Sequence, residues 1–175
     1  QVECLNNVRS IATACAMYAD EHHGQMPQDP GGALFSLNLL YPAYVPDARV
    51  FICPGAPTDI KGLAKASEDA APNLAKTGAP ATNYGYDRRH TPAHGVAGLV
   101  ADAAGSSPAA GKAGNSTNHG TSGGKGLGQN VALVSGSAEW VETSDREVND
   151  IQDNLWTDET GSGKLGLAED TCIEQ

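Results

Sequence analysis

Residues 1–24 read QVECLNNVRSIATACAMYADEHHG, and this stretch decides the fold. Cys4, Val8, Ile11, Cys15 and Tyr18 recur at alternating steps of four and three, with Leu5, Ala12 and Ala19 beside them. That is the period of an amphipathic helix with one broad apolar face. Asn6, Asn7, Arg9, Ser10 and Asp20 fall mostly off the stripe. At 1.5 Å per residue the helix is about 33 Å long. Its far end is marked three ways: His22 and His23 suit a last turn, Gly24 suits a left-handed position, and Pro27 forbids continuation. Its near end carries no Ser, Thr, Asp or Asn cap, and the apolar period is already running at Val2. Two readings follow from the residues. The helix extends upstream and the chain is a trimmed product, or the terminus frays.

Composition bounds the class. A chain of 175 residues and 18.0 kDa is the size of one domain with a core of its own. Aromatics are only 5%, so the core is modest, and 21 glycines with ten prolines imply much loop. A net charge of −10 argues against a basic nucleic-acid surface and against charge-driven binding to anionic lipid. No stretch of the given residues approaches the roughly 20 apolar residues of a membrane span, and none shows the charged, apolar, small-residue pattern of a signal peptide.

The chain after the helix reads as follows. Pro27, Pro30 and the paired glycines 31 and 32 make a turn region, and Ala33 to Leu40 reads as a short helix. Val50 to Cys53 reads as a strand stopped by Pro54. Residues 55–81 are a surface insertion with a weak helical tendency from Ile60 to Ala70. Asn83 to Asp87 and Val96 to Ala101 read as strands, and Gly105 to Gly128 as a long Gly-rich loop. The hairpin at 130–142 is the clearest β signal, with Asn130–Val134 and Ala138–Glu142 flanking Ser135-Gly136. Residues 143–175 form an acidic tail in which Ile151, Leu155 and Trp156 are expected to dock as one helical turn. An amphipathic helix must bury its stripe, and the antiparallel strands offer the face. The fold class is α+β, a long N-terminal helix packed across a small antiparallel sheet.

Most chemical motifs fail on inspection. GTSGGKGLG at residues 120–128 resembles a phosphate loop, but His119 stands where its first Gly belongs and Gly126 where its hydroxyl belongs. His22, His23, His90, His94 and His119 read as scattered surface residues, and there is no nucleophile elbow. The chain is expected not to be an enzyme. The four cysteines lack zinc spacing. Cys4 and Cys15 lie about 16 Å apart along one helix, too far to bridge, which leaves two full pairings open, with Cys15 as a buried thiol as a further reading. Asp145, Asn149, Asp150, Asp153 and Asp158 crowd the tail and offer oxygens of the kind calcium takes, against the simpler reading of a solvated acidic tail.

CLNNVRSIATACAMYADEHHGQMP resembles the segment that follows the membrane anchor in type IV pilin-like proteins, and in particular the prepilin-type, pseudopilin-like proteins of planctomycetes and verrucomicrobia. Cys4, Asn6, Asn7, Ile11, Tyr18, Asp20, His22, Gly24 and Pro27 carry the match. Phe51-Ile52-Cys53-Pro54 is similar to the family's Phe-x-Cys-Pro, and NVALVSGSAEWV at 130–141 to its final hairpin. There the usual Asp-Gly is replaced by Ser135-Gly136, which puts in question any polar or metal role of that Asp.

The resemblance implies a single pilin-like domain over 1–175, with residues 1–24 as the lower part of a longer helix. It implies an anchor upstream of this chain as its only contact with membrane, and a fibre-forming role in a type IV pilus or type II secretion pseudopilus. The partners are other pilin-like subunits. The place is the cell envelope, with the globular part periplasmic or extracellular and anchored in the inner membrane before assembly. It also favours Cys4–Cys53 with Cys15–Cys172, since Cys4 and Cys53 match family positions. Major pseudopilins, similar in expected fold, hold calcium in a late loop. The alternative function is an exported module that recognises carbohydrate or protein through the Gly-rich loop and the insertion.

Overall fold

A computed structural model describes residues 1–55, 82–103, 114–122, 125–156 and 171–174. Most of the 55–81 insertion, the helical tendency at 60–70, Asp158 and much of the Gly-rich loop lie outside them.

Helix α1 spans Val2–Glu21. Cys4, Val8, Ile11, Ala12, Cys15 and Ala19 are buried, together with Ala14, while Leu5 and Tyr18 sit at the margin, half-buried. The helix ends slightly earlier than its residues predict: His22 is the cap and His23 lies beyond the last turn. Gly24 N bonds Ala19 O at 2.8 Å, and His23 and Gly24 both take positive φ. Short helix α2, Ala33–Asn38, follows.

Residues 50–53 are not a strand. A 3-10 helix, Ala48–Phe51, occupies the place, because the Asp47 side chain accepts from Arg49 N and winds the chain into a turn.

Four strands form the main sheet in the order β1 (Tyr84–Tyr86), β2 (Gly98–Asp102), β5 (Gln129–Leu133) and β6 (Ala138–Val141), every neighbour antiparallel. Strands β3 (Thr121–Ser122) and β4 (Lys125–Gly126) make a small hairpin inside the stretch read as loop. The β5–β6 turn is wider than Ser135-Gly136 alone. Leu133 N bonds Ser137 O, Gly136 N bonds Leu133 O, and Gly136 takes φ +84°. This is a turn closed by a left-handed glycine.

Both faces of the sheet are covered. Val100, Ala132, Tyr84 and Tyr86 face α1, while Ala101 and Val131 pack on Leu155, Trp156 and Ile173. The period of two along each strand enforces this division. The tail is therefore a second cover rather than a loose end. Its start is not a helical turn but a hairpin, β7 (Asp145–Val148) with β8 (Ile151–Asn154), turning through Asn149 and Asp150 at positive φ. Leu155 and Trp156 dock as expected, but Ile151 is exposed in β8. Arg146 ties this hairpin to the sheet through Glu139 and the Val96 carbonyl. Glu174 closes the open edge of β1 by exchanging backbone bonds of 2.9 and 3.1 Å with Tyr86.

Candidate functional site

Where the N-terminal end of α1 crosses the ends of β2 and β5, a polar cluster is buried in the core. Asp102 closes β2 and Asn130 lies at the start of β5. They share the helix-facing parity of Val100 and Ala132, so both side chains point toward α1. Cys4, in the first turn of α1, is bridged there to Cys53, with Cα atoms 5.3 Å apart. Asn118 and His119 enter from the loop before β3.

Asp102 is fully buried and fully bonded. Its Oδ2 accepts from Asn130 N at 2.7 Å, Asn130 Nδ2 at 2.9 Å and pairs with His119 Nε2 at 2.8 Å. Its Oδ1 accepts from Asn118 Nδ2 at 3.2 Å. A charge removed from water survives only with such partners. Asn118 Nδ2 also donates to Asn83 O, and Asn83 Oδ1 accepts from Cys53 N at 3.2 Å, which joins the cluster to the bridge. The His119 side chain is 4% exposed and packs edge-on against Trp140. Its Nε2 lies 3.7 Å from Cys53 Sγ and 2.9 Å from Asn130 Nδ2. Tyr84 lies alongside, accepting from Asn7 Nδ2; burial pushes its phenol above the ordinary range, opposed in part by that bond.

Among the described residues, Cys4, Cys53, Asp102 and His119 form the one group of potential metal ligands, with ligand atoms all within 4.8 Å of one another.

The other sequence candidates are placed differently. Asp145 and Asp153 occupy successive rungs of the β7–β8 ladder, opposite Asn154 and Arg146, and so point to opposite faces. Asp150 sits in the turn. Asp145 accepts from Asn154 and Ser144, and Asp153 from Thr171 N while facing Arg146. These three carboxylates do not converge, so they do not fit a calcium site, and Asp158 lies outside the described residues. The Cys15–Cys172 bridge does not form. Cys15 is a buried thiol under α1, and Cys172 Sγ contacts the Trp156 carbonyl. His90 and His119 are not surface residues. His90 is buried against Asp87 at 3.1 Å and meets His94 at 3.2 Å within a turn, which Pro92 permits although it forbids a helix.

No family model, curated protein or solved structure matches this chain.

The cluster of Cys4, Cys53, Asp102 and His119 left no joint mark in the sequence because its members come from four separate segments. One local signal existed: Asp102 ends a strand otherwise buried throughout, where an ionised side chain must find partners.

Proposed function

We propose that this chain is the globular part of a pilin-like subunit of a pilus or pseudopilus filament, with a structural rather than catalytic role. One observation carries the reading: a 20-residue helix lies with its apolar face on a four-stranded antiparallel sheet, and its first turn is bridged by Cys4–Cys53 to the body of the domain. A rod held at its first turn transmits load into the domain without peeling away. The opposite face of the helix stays open, with Val2 73% and Met17 51% exposed beside Arg9, Ser10 and Thr13. In a filament that face would meet neighbouring subunits. The buried cluster near Cys4 belongs to the clamp, since it joins the first turn of α1 to the ends of β2 and β5.

The alternative, an exported binding module, rests on the insertion and the Gly-rich loop, most of which lie outside the described residues.

The test uses the gene product in its own cell. The coding sequence before Gln1 is expected to encode an apolar run of about 20 residues after a Gly-Phe-type processing site. A photo-crosslinking residue at Met17 is expected to trap a ladder of multimers in a sheared-filament fraction. Monomer alone, from a gene without that apolar run, overturns the proposal.

A further inference from the structure

We propose that the Cys4–Cys53 bridge and a zinc ion are alternative clamps for the same place. On reduction of the bridge, Cys4 Sγ, Cys53 Sγ, His119 Nε2 and Asp102 Oδ2 become a closed, structural zinc site. This inference does not depend on the filament reading.

The ligand atoms converge from α1, the turn after the 3-10 helix, the end of β2 and the loop before β3. Zinc binds sulfur at about 2.3 Å and nitrogen or oxygen at about 2.0–2.2 Å, so neighbouring ligands of a tetrahedral ion stand about 3.3–3.8 Å apart. The His119–Cys53 distance of 3.7 Å already lies in that range, and the His119–Asp102 distance of 2.8 Å falls about half an ångström short of it. Shifts of less than about an ångström at His119 and Asp102, with parting of the two sulfurs, complete the geometry.

The hydrogen bonding around His119 Nε2 points to a cation. Asp102 Oδ2, an acceptor, and Asn130 Nδ2, a donor, both approach this one nitrogen, at 2.8 and 2.9 Å. A neutral imidazole nitrogen is either donor or acceptor. It therefore satisfies one neighbour and opposes the other. With an ion present, the Nε2 and Oδ2 lone pairs both face the metal, and Asn130 Nδ2 donates to Oδ2 alone. Asn130 and Asn118 already hold the carboxylate in place, as the outer partners of metal ligands do. Two thiolates with an imidazole select zinc over calcium or magnesium. Four protein ligands leave no open position, so the site is structural.

The redox step balances with a dithiol reductant. The dithiol gives two electrons and two protons to the Cys4–Cys53 bond and itself becomes a disulfide. The S–S bond breaks to two thiols, and zinc binding then releases both protons. A disulfide oxidant reverses the sequence: it takes two electrons from the zinc-bound thiolates, its own S–S bond breaks to two thiols that draw two protons from solvent, the Cys4–Cys53 bond re-forms and the ion is freed.

The test is anaerobic zinc titration of the chain, bridged or reduced with a phosphine, read by competition with a chromophoric chelator. The reduced chain is expected to bind one zinc and the bridged chain none. Cobalt in the same site should show sulfur-to-metal charge transfer with tetrahedral ligand-field bands. X-ray absorption on the zinc form of the parent chain should show two sulfur and two nitrogen or oxygen neighbours. His119→Gln and Asp102→Asn should abolish stoichiometric uptake, Asn130→Ala should weaken it about 10–100-fold, and Cys172→Ser should leave it unchanged. If the reduced chain unfolds, zinc should refold it, as far-ultraviolet circular dichroism would report. Three results overturn the proposal: a reduced chain that zinc neither binds nor refolds, three or four sulfurs around the ion, or equal uptake by a folded His119→Gln chain.

Discussion

His119 Nε2 stands 2.8 Å from Asp102 Oδ2, and neither side chain reaches solvent to any useful extent. The carboxylate is the organising member of the pair, because three amide donors from Asn130 and Asn118 also end on it. Replacing Asp102 with Ala strands those donors in the core. The expected loss of unfolding free energy is about 3 kcal/mol, measured by urea denaturation of the bridged protein. A loss below about 1 kcal/mol, the typical worth of one hydrogen bond, would contradict this account of the cluster.

The Cys4–Cys53 bridge spans a sequence separation of 49. Closing a loop of that size restricts the unfolded chain by about 4 kcal/mol on the chain-entropy account. Reduction in the presence of a metal chelator should lower the unfolding free energy by an amount of that order. The chelator matters because a bound ion would restore part of the constraint. An unchanged denaturation midpoint would show that the bridge adds nothing to the packing of α1.

Acid stability turns on Asp87. Burial alone would raise its pKa, but the close approach of His90 at 3.1 Å and the hydrogen bonds from Arg89 outweigh burial and hold it at about 2, below the ordinary 3.8. A carboxyl depressed by folding contributes stability above its unfolded pKa and loses it as pH falls through the folded value. The window is therefore between about pH 4 and pH 2, and the contribution is about 2 kcal/mol. Urea denaturation of the parent and Asp87→Asn should show a parent advantage at pH 5 that vanishes near pH 2. Parallel pH profiles would dismiss the role of Asp87.

The two unbridged-to-each-other thiols should differ in reactivity. Burial pushes the Cys15 thiol far up, with the Tyr86 hydrogen bond opposing only weakly, whereas Cys172 is half-buried near the surface. Only a thiolate reacts with iodoacetamide at a useful rate. Mass spectrometry of the native protein should find Cys172 alkylated well before Cys15, and the reverse order would mean that α1 lifts from the sheet.

Gly85 in β1 leaves room for the C-terminal segment. A Cβ there would stand 2.6 Å from Glu174 O and would also press on Ile173 Cγ2. Gly85→Ala should cost about 1–3 kcal/mol by loosening the edge that Glu174 closes. Thermal denaturation checks this, and a variant as stable as the parent would show that the segment is not held there.

Much of this architecture is written locally. The stripe of α1, the β5–β6 hairpin and the strands around Tyr84 and Val100 follow from periods of 3.6 and 2, which are properties of short stretches. The β7–β8 hairpin was equally local, since Asn149-Asp150 supplies the positive-φ turn, but the acidity of the region drew attention to charge instead. The 3-10 helix at Ala48–Phe51 depended on a single side-chain cap by Asp47, a signal easily outweighed by the β-branched residues after it.

The sequence by itself determined that a long apolar-faced helix precedes short antiparallel strands, because burial of one face is encoded residue by residue along the chain. Only the tertiary structure decided that Cys4, Cys53, Asp102 and His119 meet and that Cys15 and Cys172 stay separate. The first of these depends on which strand ends lie under the first turn of the helix. Strand order and register set that, through backbone bonds between segments far apart in the chain that carry no local mark.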